Sequence, residues 1–372
     1  MEEHTNLLKR FGFRYRFLRE DPATGIHFAT VIFPTGNGGR SRIEIPASTL
    51  SNRAELRRQL LDRDAVLPAD EKGKKALLCA LAEAQPKHRQ TYAKAAGWSG
   101  NKAWFVTGRK VIGEAPVGQL ATRPIANAAG EPGQLRTRGT ARQWRDTVGR
   151  LALSSSVSML AICIALAAPL LTFTNRTSFA ICFFGRSRSG KTLASLCAAS
   201  MIGIGRTEDL IGWRSTDTAI EERLSEFVDT IFVLDDVSAM DASEAEQYTR
   251  LRNFAYMVAT NQGKARARTY KGSTGTNHAR HRTIVLTSAE TSIASLAHRS
   301  QRQRLGGEEL RLIDLPVTQW QQGHIFDRLP DTVDREAEVR WRSQTYAEIV
   351  QACRRYHGAA FQNYVSRLIG LR

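Results

Sequence analysis

Cysteine is scarce and shows no pairing pattern. Five residues, Cys79, Cys163, Cys182, Cys197 and Cys353, are scattered over 372 positions with no C-x-x-C among them. That spacing argues against a thiolate zinc site and a disulfide-stapled secreted scaffold. The opening stretch MEEHTNLLKR has no apolar core, so no secretory leader is expected and a reducing cytoplasm is the natural compartment. Internal repeats and low-complexity tracts are absent. Acidic residues are in short supply: 36 Asp and Glu face 53 Lys and Arg, a net charge of +17. With 42% hydrophobic and 24% charged residues, the chain is neither a disordered acidic polymer nor a collagen-like repeat. A positive excess of this size points to a polyanion, nucleic acid or anionic lipid.

Long hydrophobic runs are equally rare, with one exception. Residues 151–173 (LALSSSVSMLAICIALAAPLLTF) carry no charge over 23 positions, enough to span a bilayer. Four serines in its first third and Pro169 near its end leave a dense apolar part of about 14 residues, the length of a buried core helix. The glycine-rich strand–loop–helix segment at 179–192 follows so closely that the core-helix reading, with no membrane partner, is favoured.

Along the chain, residues 11–46 read as strands separated by turns at Asp21-Pro22 and at 35–39. Helical patterns follow in STLSNRAELRRQLLDR and EKGKKALLCALAEAQ, then a strand-like GWSGNKAWFVTGRKVIGE. This predicts a small α+β domain over 1–117, a linker at 118–140, a larger core over 141–330 and a helical segment over 331–372. In the core, one long helix from 141 leads into FAICFF (179–184). Further apolar runs recur at TIFVLD (230–235), TIVLTS (283–288) and ELRLIDL (309–315). Apolar runs without alternation are strands buried on both faces, so the expected fold is a three-layer α/β domain with a parallel sheet.

The sharpest motif is GRSRSGKT at 185–192, a G-x-x-x-x-G-K-T between a strand and a helix. Gly185, Arg186, Ser187, Arg188, Ser189 and Gly190 form a loop whose backbone N–H groups can face a phosphate, and Lys191 adds a point charge. The Thr192 hydroxyl suits Mg²⁺. Asp235, at the end of TIFVLDD, is the expected second magnesium ligand. Asp236 sits where a general base is usually found, with Glu221 or Glu222 as substitutes. Ser288 at the next strand's tip would orient water or sense the terminal phosphate, or else cap the following helix with Glu290 in its first turn. From Lys264 to Arg311 there are ten Lys or Arg against three acids. Lys264, Arg266, Arg268 and Lys271 read as a loop that tracks a phosphate backbone, preferably single-stranded DNA. Arg299, Arg302 and Arg304 are candidates for an arginine finger reaching a neighbouring subunit, and Arg311 for one acting on its own subunit.

These segments, with GWRSTDTAIEE, NQGKARA and GGEELRLIDLP, resemble the bacterial domain of unknown function 927, found in helicase-like proteins of phages and mobile elements. The resemblance extends upstream to Gly97-Trp98 and downstream to YHGAAFQNYVSRL. It implies an ATP- and Mg²⁺-dependent P-loop ATPase of the AAA+/helicase type, a homo-oligomer such as a hexameric ring, acting in mobile-element replication. Carried over by position, Gly185, Gly190, Lys191 and Thr192 would bind nucleotide and Asp235 the magnesium. Lys264 and Arg266 would lie on a DNA-contacting insert. Asp236 departs from the family's expected Glu, which leaves a nucleotide-binding switch with little turnover as the alternative function.

Overall fold

The computed structural model describes residues 2–21, 25–84, 88–93, 96–107, 110–121, 135–261, 281–317, 323–330 and 334–371. The chain forms two units. One comprises Met1–Lys94 with Ala115–Arg123, the other Ala95–Glu114 with Pro124–Arg372.

The first unit holds α1 (Glu2–Arg10), β1 (Arg14–Asp21), β2 (Ile26–Pro34), β3 (Arg40–Pro46), α2 (Arg53–Leu61), α3 (Glu71–Glu83) and β4 (His88–Tyr92). The second unit's β5 (Gly97–Trp98), β6 (Trp104–Val106) and β7 (Val111–Gly113) come next in the chain, before β8 (Gln119–Leu120) returns to the first. The first sheet runs β3-β2-β1-β4-β8. Alternation along β2 and β3 sends Val31, Phe33, Ile43 and Ile45 into a core completed by Leu56, Leu60, Leu77 and Leu81 of the helices. Asp70 starts α3 by accepting from the Gly73 N–H.

In the second unit the expected long helix is broken. It forms α4 (Ala141–Trp144), a π-helical turn (Arg145–Gly149) and α5 (Arg150–Ala152) before stopping. Ser155 leaves the helical region and caps α6 (Ser156–Ala167) by accepting from Ser158 N–H at 3.1 Å. A short turn and α7 (Leu171–Thr174) follow, ended by Asn175 at φ +51°. Ser156–Thr174 is long and apolar enough to cross a membrane by length and composition. Its buried side (Ser158, Ala161, Ile164, Ala165) belongs to the main core, whereas Leu160, Cys163 and Phe173 are exposed. The expectation of a core helix therefore holds for one face only.

β9 (Phe179–Phe184) leads into α8 (Lys191–Ile202), β10 (Ile211–Gly212), α9 (Asp217–Leu224) and β11 (Ile231–Asp235). Then come α10 (Glu244–Ala259), β12 (Ile284–Ala289), α11 (Ile293–Arg299), α12 (Gly306–Glu309), β13 (Leu312–Pro316), α13 (Arg335–Arg355) and α14 (Ala359–Gly370). The sheet is parallel throughout, in the order β10-β11-β12-β9-β13. Every residue of β12 is buried, as the unalternating apolar runs predict. Strand β9 leads first to strands on one side and last to β13 on the other, so the crevice at its C-terminal end is a topological switch point.

The division differs from a cut at residue 117. The hairpin β5–β7 groups with the larger unit because Trp98 and Phe105 are aromatic anchors there. Trp98 meets Phe105 and Phe173 edge-on at 5.0 and 5.2 Å, and its indole N–H donates to Pro169 O at 2.9 Å. Residues 135–140 are likewise no free linker, since Arg136 N–H donates to Gly203 O and Arg138 bridges His357.

Asp229 ties this region together. Fully buried just before β11, it accepts from Trp98 N–H (3.0 Å), Thr172 Oγ1 (3.2 Å) and both Nε and Nη2 of Arg282 (2.9 Å for the latter). Gly97, at φ +93°, admits this approach, because a Cβ there would lie 2.5 Å from Asp229 Oδ2. Removing the buried carboxylate leaves the Trp98 N–H and the Thr172 hydroxyl without their acceptor, while the partly exposed Arg282 is resolvated. Asp229→Ala should therefore lower unfolding free energy by about 2–3 kcal/mol in denaturant titrations. A loss under about 1 kcal/mol, the level of an exposed pair, would refute this role.

Candidate functional site

The loop 185–190 leaves β9 and turns directly into α8, placing the helix N-terminus against the ends of β11 and β12. Arg188 (φ +60°) and Gly190 (φ +103°) make the turn. A Cβ on Gly190 would lie 2.7 Å from Ile325 Cγ1, and Ile325 N–H donates to Ser189 O at 2.9 Å, so only glycine permits this approach. Lys191 is 8% exposed and its ammonium donates to the carbonyls of Gly185 (2.8 Å) and Arg186 (2.9 Å). Burial pushes its pKa down, while the carboxylates of Glu290, Asp236 and Asp235 push it back up.

Three hydroxyl and carboxyl groups converge opposite this lysine. Asp235, at the C-terminal end of β11, accepts from Ser288 Oγ at 2.8 Å and is hydrogen-bonded to the Thr192 side chain. Ser288 Oγ in turn accepts from Asp236 N–H at 3.1 Å. Burial raises the Asp235 pKa, and the two hydroxyls only partly offset it. Thr287, one position earlier, takes no part: its Oγ1 accepts from the indole of buried Trp213 at 2.9 Å. The Trp213 carbonyl is held by Arg250, so the GWRSTD segment acts as a brace beside the site.

A cleft of about 520 Å³ opens here, a volume suited to a small-molecule ligand. One wall is 187–193 with Asp236, Ser288 and Glu290; the other is His324, Phe326 and, from α13, Val339, Arg342, Ser343 and Tyr346. Glu338 organises that second wall. It accepts from His324 Nε2 (3.2 Å) and lies 3.5 Å from Arg342 Nε. Burial and then Arg342 push the His324 pKa down, so the ring is neutral, with Nδ1 accepting from Phe326 N–H.

Several expected site residues lie elsewhere. Glu221 is buried on α9 and does not line the cleft. Arg311 precedes β13 and so stands at the N-terminal end of the sheet, a strand's length from the loop after β9. Its guanidinium stacks on Tyr256 (4.8 Å) and donates to Gly307 O. Arg304 is pinned to Asp314 (2.6 Å) and the Leu312 carbonyl, with only 8% of its side chain exposed, which removes it as an arginine finger. Arg299 is committed to Glu244 and Thr291, leaving Arg302 as the exposed candidate. Asp236 lines the cleft, but its Oδ1 accepts from Ser238 N–H and its backbone is strained at φ +52°. Lys264, Arg266, Arg268 and Lys271 lie outside the described residues. The wall from 324 to 346 went unforeseen because no local motif marks it.

A family model described as "Domain of unknown function (DUF927)" matches residues 19–278. The chain belongs to this family. No curated protein matches. Among solved structures, the DUF927 chain is similar to "SCCmec type IV Cch - active helicase", with a TM-score of 0.66 and 17% identity. That match covers 96% of this chain and 60% of the other, so the chain spans about three fifths of the helicase's length and shares its fold. A second structure, "The A form apo structure of NrS-1 C terminal region-CTR", aligns at a TM-score of 0.39 and 12% identity over 98% of this chain and 68% of that one.

The electrostatics of Asp235 give a stability test. A carboxyl whose folded pKa is raised above 3.8 binds protons more tightly folded than unfolded. Stability from this group is therefore greatest below 3.8 and falls as pH rises through the folded pKa. Asp235→Asn removes the ionised form but keeps an acceptor for Ser288. It should be more stable than wild type at pH 7 by thermal unfolding, with the gap closing towards pH 3. A variant less stable at pH 7 would contradict the burial argument.

Proposed function

We propose that this DUF927 chain is a P-loop ATPase that drives a DNA helicase or translocase in mobile-element or phage replication. The observation that carries it is the meeting of Lys191, Thr192, Asp235 and Ser288 at the C-terminal edge of a parallel sheet, beside a cleft and a helix N-terminus. Such an edge favours phosphates by its backbone donors and helix dipole. The helicase-like fold and the +17 charge support nucleic acid as the partner.

In this reading, loop residues 185–190 cradle the phosphates. Lys191 exchanges its two carbonyl partners for phosphate oxygens, a displacement that needs only side-chain rotation. Thr192 and Asp235 offer hard oxygen donors already hydrogen-bonded together, and no group of three metal-ligating side chains occurs among the described residues. That donor set fits Mg²⁺, which draws its remaining ligands from phosphate and water and would neutralise charge on the transferred phosphate. The apolar wall of Phe326, Val339 and Tyr346 suits a base, and Arg342 brings positive charge to the same space. Hydrolysis adds water to the terminal phosphorus, breaks its bond to the bridging oxygen and delivers the water proton to a carboxylate. Asp236 and Glu290 both line the cleft for that role.

A nucleotide-gated switch with little turnover is the second reading. It is favoured by the capped Oδ1 and strained backbone of Asp236.

Lys191→Ala should abolish ATPase activity, by about 100-fold or more. Wild-type turnover should rise with single-stranded DNA and fall steeply with salt. Whichever of Asp236→Asn and Glu290→Gln costs about 100-fold identifies the base. Wild-type turnover no greater than that of Lys191→Ala, together with nucleotide-dependent assembly, would favour the switch.

A further inference from the structure

The first unit's sheet turns Val31, Phe33, Ile43 and Ile45 towards its helices; on the other face Phe28, Thr30 and Arg19 are buried, and exposed cations gather at the end formed by Arg14, Arg40 and Arg42. Register places this other face as a grid. Arg42, Ile32 and Arg14 share one row across β3, β2 and β1; Glu44, Thr30, Phe17 and His88 share the next across β3, β2, β1 and β4. Arg40 stands at the end of β3, paired with Pro34. A bulge between Tyr15 and Phe17 inserts Arg16, whose guanidinium lies over the Phe17 ring at 5.1 Å. Phe17 and His88 form a ring pair at 6.1 Å. Arg19 is the exception among these cations: it is committed to Glu44, Gln90 and Tyr92 and braces the sheet.

Arg14, Arg16, Arg40 and Arg42 are all exposed, and none makes a side-chain hydrogen bond or ion pair among the described residues. The guanidiniums of Arg14, Arg40 and Arg42 have no such partner and repel one another, while Arg16 and Arg19 lie over the Phe17 ring at 5.1 and 5.5 Å. Together with a partly exposed Phe17 and an exposed His88, the exposed arginines combine the two elements single strands need: charge for the backbone and rings for the bases. Exposed cations beside a ring pair match splayed bases better than a duplex groove.

We propose that this end of the sheet face binds single-stranded nucleic acid, with Arg14, Arg40 and Arg42 on phosphates and the packed cluster of Arg16, Phe17 and His88 against bases. It involves other residues than the basic segment at 264–271, and it goes beyond the ATPase reading because it requires no nucleotide.

The test uses the full chain without ATP, titrated against fluorescein-labelled oligothymidylate or oligouridylate of about 16 nucleotides, followed by anisotropy over a salt series. The double variant Arg14→Ala/Arg42→Ala should weaken binding about tenfold and reduce the salt slope by about 1.4, roughly 0.7 per phosphate contact. Phe17→Leu/His88→Ala should weaken binding with the slope unchanged. Lys72→Ala/Lys75→Ala, which removes equal charge from the exposed side of α3, should do neither. Loss on either polymer supports the site, and the tighter one names its ligand. Thermal unfolding equal to wild type shows that the variants are folded. Unchanged affinity and slope in the arginine variant would overturn the proposal. So would an equal loss in the α3 control, or loss only of binding to phosphatidylserine vesicles. Basal ATPase should be unaffected by these variants. An inactive wild type would sink the motor reading and leave the binding result intact.

Discussion

The site is governed by a carboxylate held in a place that does not suit it. Asp235 is driven out of water at the end of an apolar strand and is met there by two hydroxyls, Ser288 and Thr192, and the Asp236 backbone N–H. Hydrogen bonds satisfy lone pairs but do not cancel charge, and Lys191, which feels the Asp235 charge, is itself occupied with backbone carbonyls. Each group would be better solvated or paired elsewhere. In the proposed ATPase reading, a nucleotide with its divalent ion is what would relieve that placement.

Strand β11 makes the contrast within a few residues. At its N-terminal side Asp229 is also buried, but Arg282 neutralises it and Trp98 and Thr172 fill its remaining acceptor sites. At its C-terminal end Asp235 has no such cation. Burial alone does not separate the two, since Asp229 is the more deeply buried. What separates them is whether the protein completes the charge balance itself. The first carboxylate specifies how the β5–β7 hairpin and α7 meet the sheet, and the second has no bonded cation among the described residues.

Much of this was legible in the sequence, because it depends on local pattern. Unalternating apolar runs revealed the strands of the large sheet, and G-x-x-x-x-G-K-T between a strand and a helix marked the loop. Asp235 and Ser288 follow because strand ends carry the polar residues. Charged side chains were harder to place, since their roles depend on partners distant in sequence. Arg304 is spoken for by Asp314, Arg311 by Tyr256 and Arg299 by Glu244. The second wall of the cleft was illegible for the same reason, because α13 lines it only through docking. The break at Ser155 is a local cap signal that a long apolar run obscured.

The same criterion extends to the basic excess that first suggested a polyanion. A count of arginines does not distinguish cations that hold the fold from cations that await a partner, but partnering does. Arg19, Arg250, Arg282 and Arg304 are bonded to carboxylates and carbonyls, so their charge is spent inside the molecule. Arg14, Arg40 and Arg42 are exposed with no carboxylate bonded to them among the described residues. An uncompensated cluster of that kind raises the free energy of the unbound protein slightly, and counterions screen it at physiological ionic strength. A polyanion displaces those counterions into solution, and the entropy of their release is a driving force that no internal salt bridge could supply.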